Sequence, residues 1–365
     1  MKISQIGRVA AVAALATIAL SSCASNEAPA AGGDGSETAS TLSGTLNGAG
    51  SSAQGAAQTA WIKEFQTANP DVTINYDPTG SGAGRETFIS GGSDWAGSDS
   101  ALSEDELSGT FGSCADGATA IDIPTYISPI AVAFNLDGVD ELNLDAATLA
   151  GIFKHTITTW DDPAIAALNP DATLPAAPIV AVNRSDDSGT TKNFTDYLFQ
   201  NAPEIWDAEP ADAFPYSGGE AAAKTQGVVD AITNGTGTIG YIDASALGDL
   251  NAASIKVGDE FVAYTPEAAA AVVADSPLVE GRADNDLAFS LDRKTTDPSH
   301  YPLVLVSYSI VCTEYADEAQ GELVKEYISY ITSAEGQQVA ADQAGAAPLS
   351  DELSSRVADI LSSIK

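Results

Sequence analysis

Short apolar runs rich in β-branched residues alternate with amphipathic stretches along most of the chain. "TLSGTLNGAGSS" predicts a strand running into a turn, and "AAQTAWIKEFQTANP" predicts a helix with Ala57, Trp61 and Phe65 on related faces, stopping at Asn69-Pro70. "DVTINYDPTGSGAG" predicts a second strand and a Gly-rich turn, and "GRETFISGGSDWAGSDS" a short helix followed by a third strand. Further strands are predicted at "ISPIAVAFNL", "APIVAVNRS", "GTIGYID" and "PLVLVSYSIVC". Helices are predicted at "LDAATLAGIF", "GTTKNFTDYLF", "GEAAAKTQGVVDAITN" and "AQGELVKEYISYITSAEGQQVAADQA". Strand–helix alternation implies an α/β fold with parallel strands, whose ligands belong at the carboxyl ends of the strands. No repeat of short fixed period is visible, and 365 residues are enough for more than one domain.

The first residues depart from this pattern. Lys2 and Arg8 precede "VAAVAALATIAL", an apolar run too short to span a bilayer comfortably, so residues 1–22 read as an export signal. The run ends at "LSSC", which resembles a bacterial lipobox, with Cys23 as the lipidated residue. Residues 23–43 follow as a flexible tether of Ala, Gly and Ser. Two acyl chains on Cys23 would suffice for stable anchoring, which places the protein on the extracytoplasmic face of the cell membrane. Such a compartment permits disulfides, and the remaining Cys114 and Cys312 form the expected pair.

Charge narrows the class. With 15 Lys+Arg against 51 Asp+Glu, the formal charge is −36, which excludes nucleic acid as a partner because phosphate backbones are bound by clustered cations. No metal site is expected: His155 and His300 are far apart in sequence and neither has a closely spaced Cys or His neighbour. No cofactor is implied. Trp61, Trp95, Trp160 and Trp206 read as core and hinge packing rather than as a sugar platform.

Four turns share one design, in which a strand ends and Ser, Thr or Gly leads toward a helix. They are "GAGSS" (48–52), "TGSGAG" (79–84), "AGSDS" (96–100) and "RSDDSGT" (184–190). Backbone N–H groups, hydroxyls and helix N-termini together favour an oxyanion, and glycine lets the backbone approach it closely. Each turn alone reads equally well as an N-cap. Four of them in one chain, with an arginine in the fourth and an aspartate in the third, point to anion binding.

From about residue 44 onward the sequence resembles the phosphate-binding receptors of bacterial ABC phosphate importers. "LNGAGSS" before an aromatic helix, "INYDPTGSGAG", "SDWAGSDSALSEDEL" and "RSDDSGT" are similar to that family's ligand-bearing segments in order and spacing. "TTWDDPAIAALNP" and "GTIGYIDAS" match supporting segments. The resemblance implies a two-lobed, periplasmic-binding-protein-like fold of type II with the anion in the interlobe cleft. Lobe 1 would comprise 44–124 and 301–365, and lobe 2 would comprise 125–300. It further implies inorganic phosphate as ligand, held by Ser52, Ala53, Ser81, Asp99, Arg184, Ser188, Gly189 and Thr190, with Asp186 orienting Arg184. The partners would be a membrane permease and, through the lipid, the membrane; the receptor would be a monomer. Where the family commonly carries a bulky aromatic and a proline, this chain has Ala53-Gln54, and Asp187 adds a carboxylate to the signature loop.

The chemistry of such a site is intelligible from the residues. About ten charge-assisted hydrogen bonds, each contributing roughly 1.5–3 kcal/mol net, could offset the dehydration of a small oxyanion. A carboxylate can only accept, so Asp99 would favour phosphate, which carries a proton near neutral pH, over sulfate, which carries none. The competing readings are a receptor for sulfate, molybdate or another oxyanion, and a phosphate-ester hydrolase. Hydrolysis would need a nucleophile with an activating base or metal ligands, and neither histidine lies near the Ser-rich turns in sequence.

Overall fold

A computed structural model describes residues 42–365. The expected leader, Cys23 and the tether as far as Thr41 lie outside the described residues.

The alternation predicted from the sequence is present as strand–helix pairs. β1 (Gly44–Gly50) feeds α1 (Gly55–Ala68), β2 (Val72–Asp77) feeds α2 (Ser81–Ile89), and β3 (Trp95–Ser98) precedes the short α3 (Glu104–Leu107). α1 buries Ala57, Trp61 and Phe65 at helical spacing and stops at Asn69, whose N–H donates to the Phe65 carbonyl. The long β4 (Ala120–Asn135) leads to β5 (Asn143–Leu144), α4 (Ala146–Phe153) and α5 (Pro163–Leu168). β6 (Val180–Arg184) then runs into α6 (Gly189–Asn201), β7 (Glu220–Ala222) into α7 (Lys224–Asn234), and β8 (Thr238–Asp243) into the short β9 (Asn251–Ala252). β10 (Ser254–Val257), β11 (Glu260–Val262) and α8 (Pro266–Asp275) follow, and the chain closes with β12 (Val304–Cys312), α9 (Glu318–Thr332), α10 (Ala334–Ala344) and α11 (Asp351–Ser362).

The main sheet runs β2-β1-β3-β12-β4-β8-β6-β7, with β9 beside β4, and β11-β10-β5 form a second, small sheet. β1 is parallel to β2 and β3, and β6 is parallel to β7 and β8. These two parallel groups are joined by the antiparallel strands β12 and β4. β4 pairs with β12 as far as Pro129 and with β8 from Ile130 onward, so one strand carries the chain from one group to the other. It is buried along all but its last residue, which is why its sequence reads as a near-continuous apolar run rather than an alternation. Pro124 has no N–H to offer the ladder, and the register slips between Ser307 and Tyr308 opposite it. Proline inside a sheet is found at such bulges, and bulges re-aim the neighbouring side chains.

Several elements differ from the sequence expectation. β4 begins seven residues before the predicted run at Ile127, because the preceding "AIDIPTY" is also buried and pairs with β12. The stretch "GEAAAKTQGVVDAITN" is not helical throughout: Glu220–Ala222 is a strand beside β6, and the helix starts only after a chain reversal in which Lys224 takes a φ of 64°. The predicted helix over 319–344 is broken at Ser333, whose extended backbone lets its hydroxyl accept from Gly336 N–H and start α10. α8, α11 and the second sheet have no counterpart in the sequence reading.

Cys114 and Cys312 are bonded, Cα–Cα 5.4 Å, across a sequence separation of 198. All four tryptophans are fully buried in the core. Closing so long a loop restricts the unfolded chain, so replacing both cysteines by serine is expected to lower stability by about 2–5 kcal/mol. Urea denaturation of oxidised wild type and the double variant measures it.

Candidate functional site

The four turns converge at the carboxyl ends of β1, β2, β3 and β6. After β1, Gly50 has a φ of 145° and lies so close to β3 that an added Cβ would stand 1.9 Å from the Gly97 carbonyl oxygen; no other residue fits there. That contact lets Ser51 N–H donate to Gly97 O (2.8 Å) and swings the Ser51 side chain onto Asp99, the residue following β3. After β2, Gly80 also has positive φ, and an added Cβ would strike the Asp186 carboxylate at 2.6 Å. Its permissive backbone therefore lets the start of α2 pack against the loop that follows β6.

Asp99 is the centre of the constellation and is only 4% exposed. Its Oδ1 accepts from the Ser51 hydroxyl (2.5 Å) and the Ser307 hydroxyl (2.6 Å), and its Oδ2 accepts from Thr190 (3.0 Å). Its backbone is held as well: the N–H donates to Ser81 Oγ (3.2 Å), and the carbonyl accepts from Asn193 Nδ2 (2.7 Å). Burial pushes the Asp99 carboxyl above the usual range, opposed by the Ser307, Ser51 and Thr190 hydroxyls and the Arg184 charge.

Arg184, at the end of β6, is 4% exposed and carries the cation. Asp186 grips it through both Nε (2.8 Å) and Nη2 (2.5 Å), the two-point geometry that fixes a guanidinium plane. Asp186 also accepts from Lys224 N–H, the first residue of α7. Burial acts to raise the Asp186 carboxyl, but its hydrogen bond to Arg184, that residue's charge and the Lys224 N–H hold it below the usual range. Ser188 caps α6, its Oγ accepting from Thr191 N–H, and Gly189 lies against Asp99 where a Cβ would come within 2.7 Å. Asp187 is exposed, and its carbonyl accepts from Gly82 N–H.

Ser51, Ser81, Gly189 and Thr190 thus gather on Asp99, with Ser188 beside them at the start of α6, while the Arg184–Asp186 pair packs against Gly80, next to Ser81. Ser52 and Ala53 sit at its rim with their donors engaged: Ser52 Oγ accepts from Thr225 N–H (3.0 Å) and pairs with the Thr225 hydroxyl, and Ala53 N–H donates to Ser51 Oγ (3.1 Å). The sequence reading missed Ser51, Thr225, Asn193 and Ser307. Ser51 adjoins a predicted residue, and Ser307 shows as a hydroxyl interrupting the buried run "PLVLV", a signal that could have been used. Asp212 was missed as well. Arg85 of α2 donates to Asp212 (2.6 Å), Glu106 (2.9 Å) and Ser98, and Ser100 donates to Asp212, so a largely buried ion pair flanks Asp99. The histidines lie elsewhere: His300 pairs with Thr295 and Asp275, and His155 packs on Gly218 and Gly219.

A two-lobed α/β receptor fold with hydroxyls, a buried carboxylate and a guanidinium at the carboxyl ends of its parallel strands defines a class, the periplasmic binding proteins, and a family model described as a PBP superfamily domain matches residues 35–335. The chain is similar over its full length, and that of the relatives, to the phosphate-binding protein PstS 3 of Mycobacterium tuberculosis (36% identity over 375 residues) and PstS 3 of Mycobacterium leprae (36% over 376). It is 33% identical to PstS 2 of Mycobacterium tuberculosis over 371 residues, again covering both chains completely. Among solved structures, a high-affinity periplasmic phosphate-binding protein with phosphate bound superposes with a TM-score of 0.68 at 22% identity, covering 86% of this chain and 93% of that one. A Clostridium perfringens structure assigned to phosphate ABC transporter substrate-binding proteins, also with phosphate, gives 0.60 at 20% identity, covering 84% and 100%. The chain belongs to the PstS family of phosphate-binding proteins.

Proposed function

We propose that the protein captures inorganic phosphate between two lobes and delivers it to the membrane permease of an ABC importer. The observation that carries this reading is Asp99: a buried acceptor carboxylate surrounded by hydroxyls and helix N-termini, close enough to Arg184 to feel its charge. Ser81, Arg184, Ser188, Gly189 and Thr190 supply donors, Ser52 and Ala53 would add theirs by exchanging their contacts with Thr225 and Ser51 for the ligand, and Asp99 takes the proton that phosphate retains. The lobes we propose are 44–124 with 301–365, and 125–300; β4 changes partner from β12 to β8 at Pro129/Ile130, a few residues beyond that first crossing. Phosphate touching both sets of donors would favour the closed form, since only that form makes all the contacts. Cys23 anchors the receptor to the extracytoplasmic face of the cell membrane, where it acts as a monomer.

Binding without turnover is the reading we favour over ester hydrolysis, because both histidines stand away from the cluster's hydroxyls, His300 paired with Thr295 and Asp275 and His155 packed on Gly218 and Gly219. Another oxyanion is disfavoured by the Asp99 carboxylate. Calorimetric titration of the mature chain with phosphate, sulfate and molybdate tests the assignment: tight phosphate binding with sulfate and molybdate at least a hundredfold weaker is expected, and equal affinities would overturn it.

The Arg85–Asp212 pair would join the lobes beside the ligand. Arg85→Met leaves Asp212 and Glu106 without their cation and is expected to cost about 3 kcal/mol of stability. Urea denaturation gives that number, and a faster phosphate off-rate in stopped-flow should accompany it.

A further inference from the structure

The hydrogen-bonding direction of the groups behind Asp99 can be assigned from one fixed point. Gln54 Nε2 lies 2.6 Å from Ser307 Oγ and 3.3 Å from the Tyr308 carbonyl oxygen. A backbone carbonyl only accepts, so the amide nitrogen of Gln54, not its oxygen, faces β12. Gln54 Oε1 must then accept, and it does so from Gln58 Nε2 (2.8 Å). That orients the second amide in turn: Gln58 Oε1 accepts from the Tyr327 hydroxyl (2.7 Å) of α9. Ser307 Oγ, already accepting from Gln54, spends its single proton on Asp99 Oδ1 (2.6 Å). The chain therefore runs one way, from Tyr327 through Gln58, Gln54 and Ser307 to Asp99, with every member buried. On the same oxygen, Ser51 is polarised identically, since its Oγ accepts from Ala53 N–H and its proton goes to Asp99.

We propose that this relay sets anion specificity by keeping Asp99 an acceptor: Gln54, Gln58 and Tyr327 act as positioning residues that lock the Ser307 proton onto Oδ1 and leave Oδ2 to receive the proton of phosphate. The inference rests on the phosphate-receptor reading and extends it to residues that do not touch the ligand. A protonated Asp99 would donate rather than accept, and the exclusion of sulfate would vanish. Burial drives Asp99 toward that protonated state, and the hydroxyl donors oppose it. The bulge at Ser307/Tyr308 is the local feature that presents both the Ser307 hydroxyl and the Tyr308 carbonyl to Gln54. Hydrogen bonds aligned in one direction polarise one another, so removing a remote member is felt at the carboxylate.

The other groups facing Asp99 are Tyr76 from β2, Arg184 from β6 and Asp243 from β8, with the Arg85–Asp212 pair reached through Ser98 and Ser100. Burial pushes Asp243 up to about 6. Neither Ser307→Ala nor Gln54→Met replaces any of these side chains, and Asp243 and Tyr76 feel the Asp99 charge, so their ionisation follows that of Asp99.

The test is the pH profile of sulfate and phosphate binding by calorimetry between pH 5 and 8.5, for wild type, Ser307→Ala and Gln54→Met. In wild type, sulfate affinity should rise only at the acid end. Ser307→Ala removes a donor to the charged carboxylate, which raises its pKa, so the rise should begin about one pH unit higher; Gln54→Met keeps the Ser307 hydroxyl but strips it of its polarising donor, so the rise should shift in the same direction by less. At pH 6.5 the preference for phosphate over sulfate should fall about tenfold in Ser307→Ala, one pH unit's worth of protonation. Ser307→Ala removes one atom, and a melting curve confirms that each variant is folded; if Gln54→Met does not fold, Ser307→Ala decides alone. Folded variants with the wild-type pH profile would overturn the relay while leaving the receptor reading intact. Wild type that binds no phosphate would overturn both.

Discussion

Asp99→Asn is expected to weaken phosphate binding by roughly ten- to a hundredfold, the equivalent of one charge-assisted hydrogen bond of about 1.5–3 kcal/mol, and to admit sulfate. Asparagine is close to isosteric, so Ser51 and Ser307 can still donate to its oxygen, and the backbone anchors at Ser81 and Asn193 do not involve the side chain. What changes is the other terminal atom. Where Oδ2 accepts, an amide nitrogen donates, so the proton of phosphate loses its acceptor and meets another proton. Sulfate experiences the reverse: a like charge is removed and a donor appears. The two affinities should therefore converge from opposite sides. A variant that lost both anions equally would show that Asp99 holds the cluster together without choosing its guest; calorimetry at pH 7.5 distinguishes these outcomes.

Much of this cluster was legible in the sequence, because its parts are local. A strand followed by glycine and a small hydroxyl residue is a signal carried by a few adjacent positions, and Gly50, Gly80 and Gly189 occupy places where the structure has no room for a Cβ. The Arg184–Asp186 contact is likewise a two-residue step. The undetected partners are those delivered by tertiary pairing. Ser307 lies 208 positions from Asp99 and reaches it because β12 sits beside β3, an adjacency that no sequence period encodes. Asp212 sits in a loop whose composition resembles any surface connection, yet it is partly buried and paired with Arg85. Gln54 stands at one of the two points where the chain departs from its family resemblance, and the polar side chain there takes part in a network rather than in core packing. The same distinction holds for the fold. β1 to β3 and α1 were predicted because their periodicity is self-contained, whereas β7 was read as helix from its Ala-rich sequence and became a strand because β6 offered it an edge.

Arg184 should carry the other large effect. Arg184→Lys retains the charge but not the fork: an ammonium cannot engage both Asp186 oxygens through two parallel N–H groups while presenting a planar face to an anion. Phosphate affinity is expected to fall about a hundredfold in this variant and further in Arg184→Met, in which the positive charge is gone altogether, an expectation built on losing two or more charge-assisted bonds of about 1.5–3 kcal/mol each. Asp186→Asn should cost less, because it frees the guanidinium without removing it. The sign of the accompanying pH effect follows from Asp186, whose carboxyl the folded protein holds below its ordinary value. Its interaction with Arg184 therefore stabilises the fold above the unfolded-state pKa and is lost as pH falls through the folded one. The stability gap between wild type and Arg184→Met should accordingly be widest at neutral pH and close in acid. Urea denaturation at pH 7 and pH 3 measures that gap, and a double-mutant cycle through Arg184→Met, Asp186→Asn and the pair isolates the coupling. A gap independent of pH would mean that Asp186 orients the arginine without drawing any of its own ionisation from it.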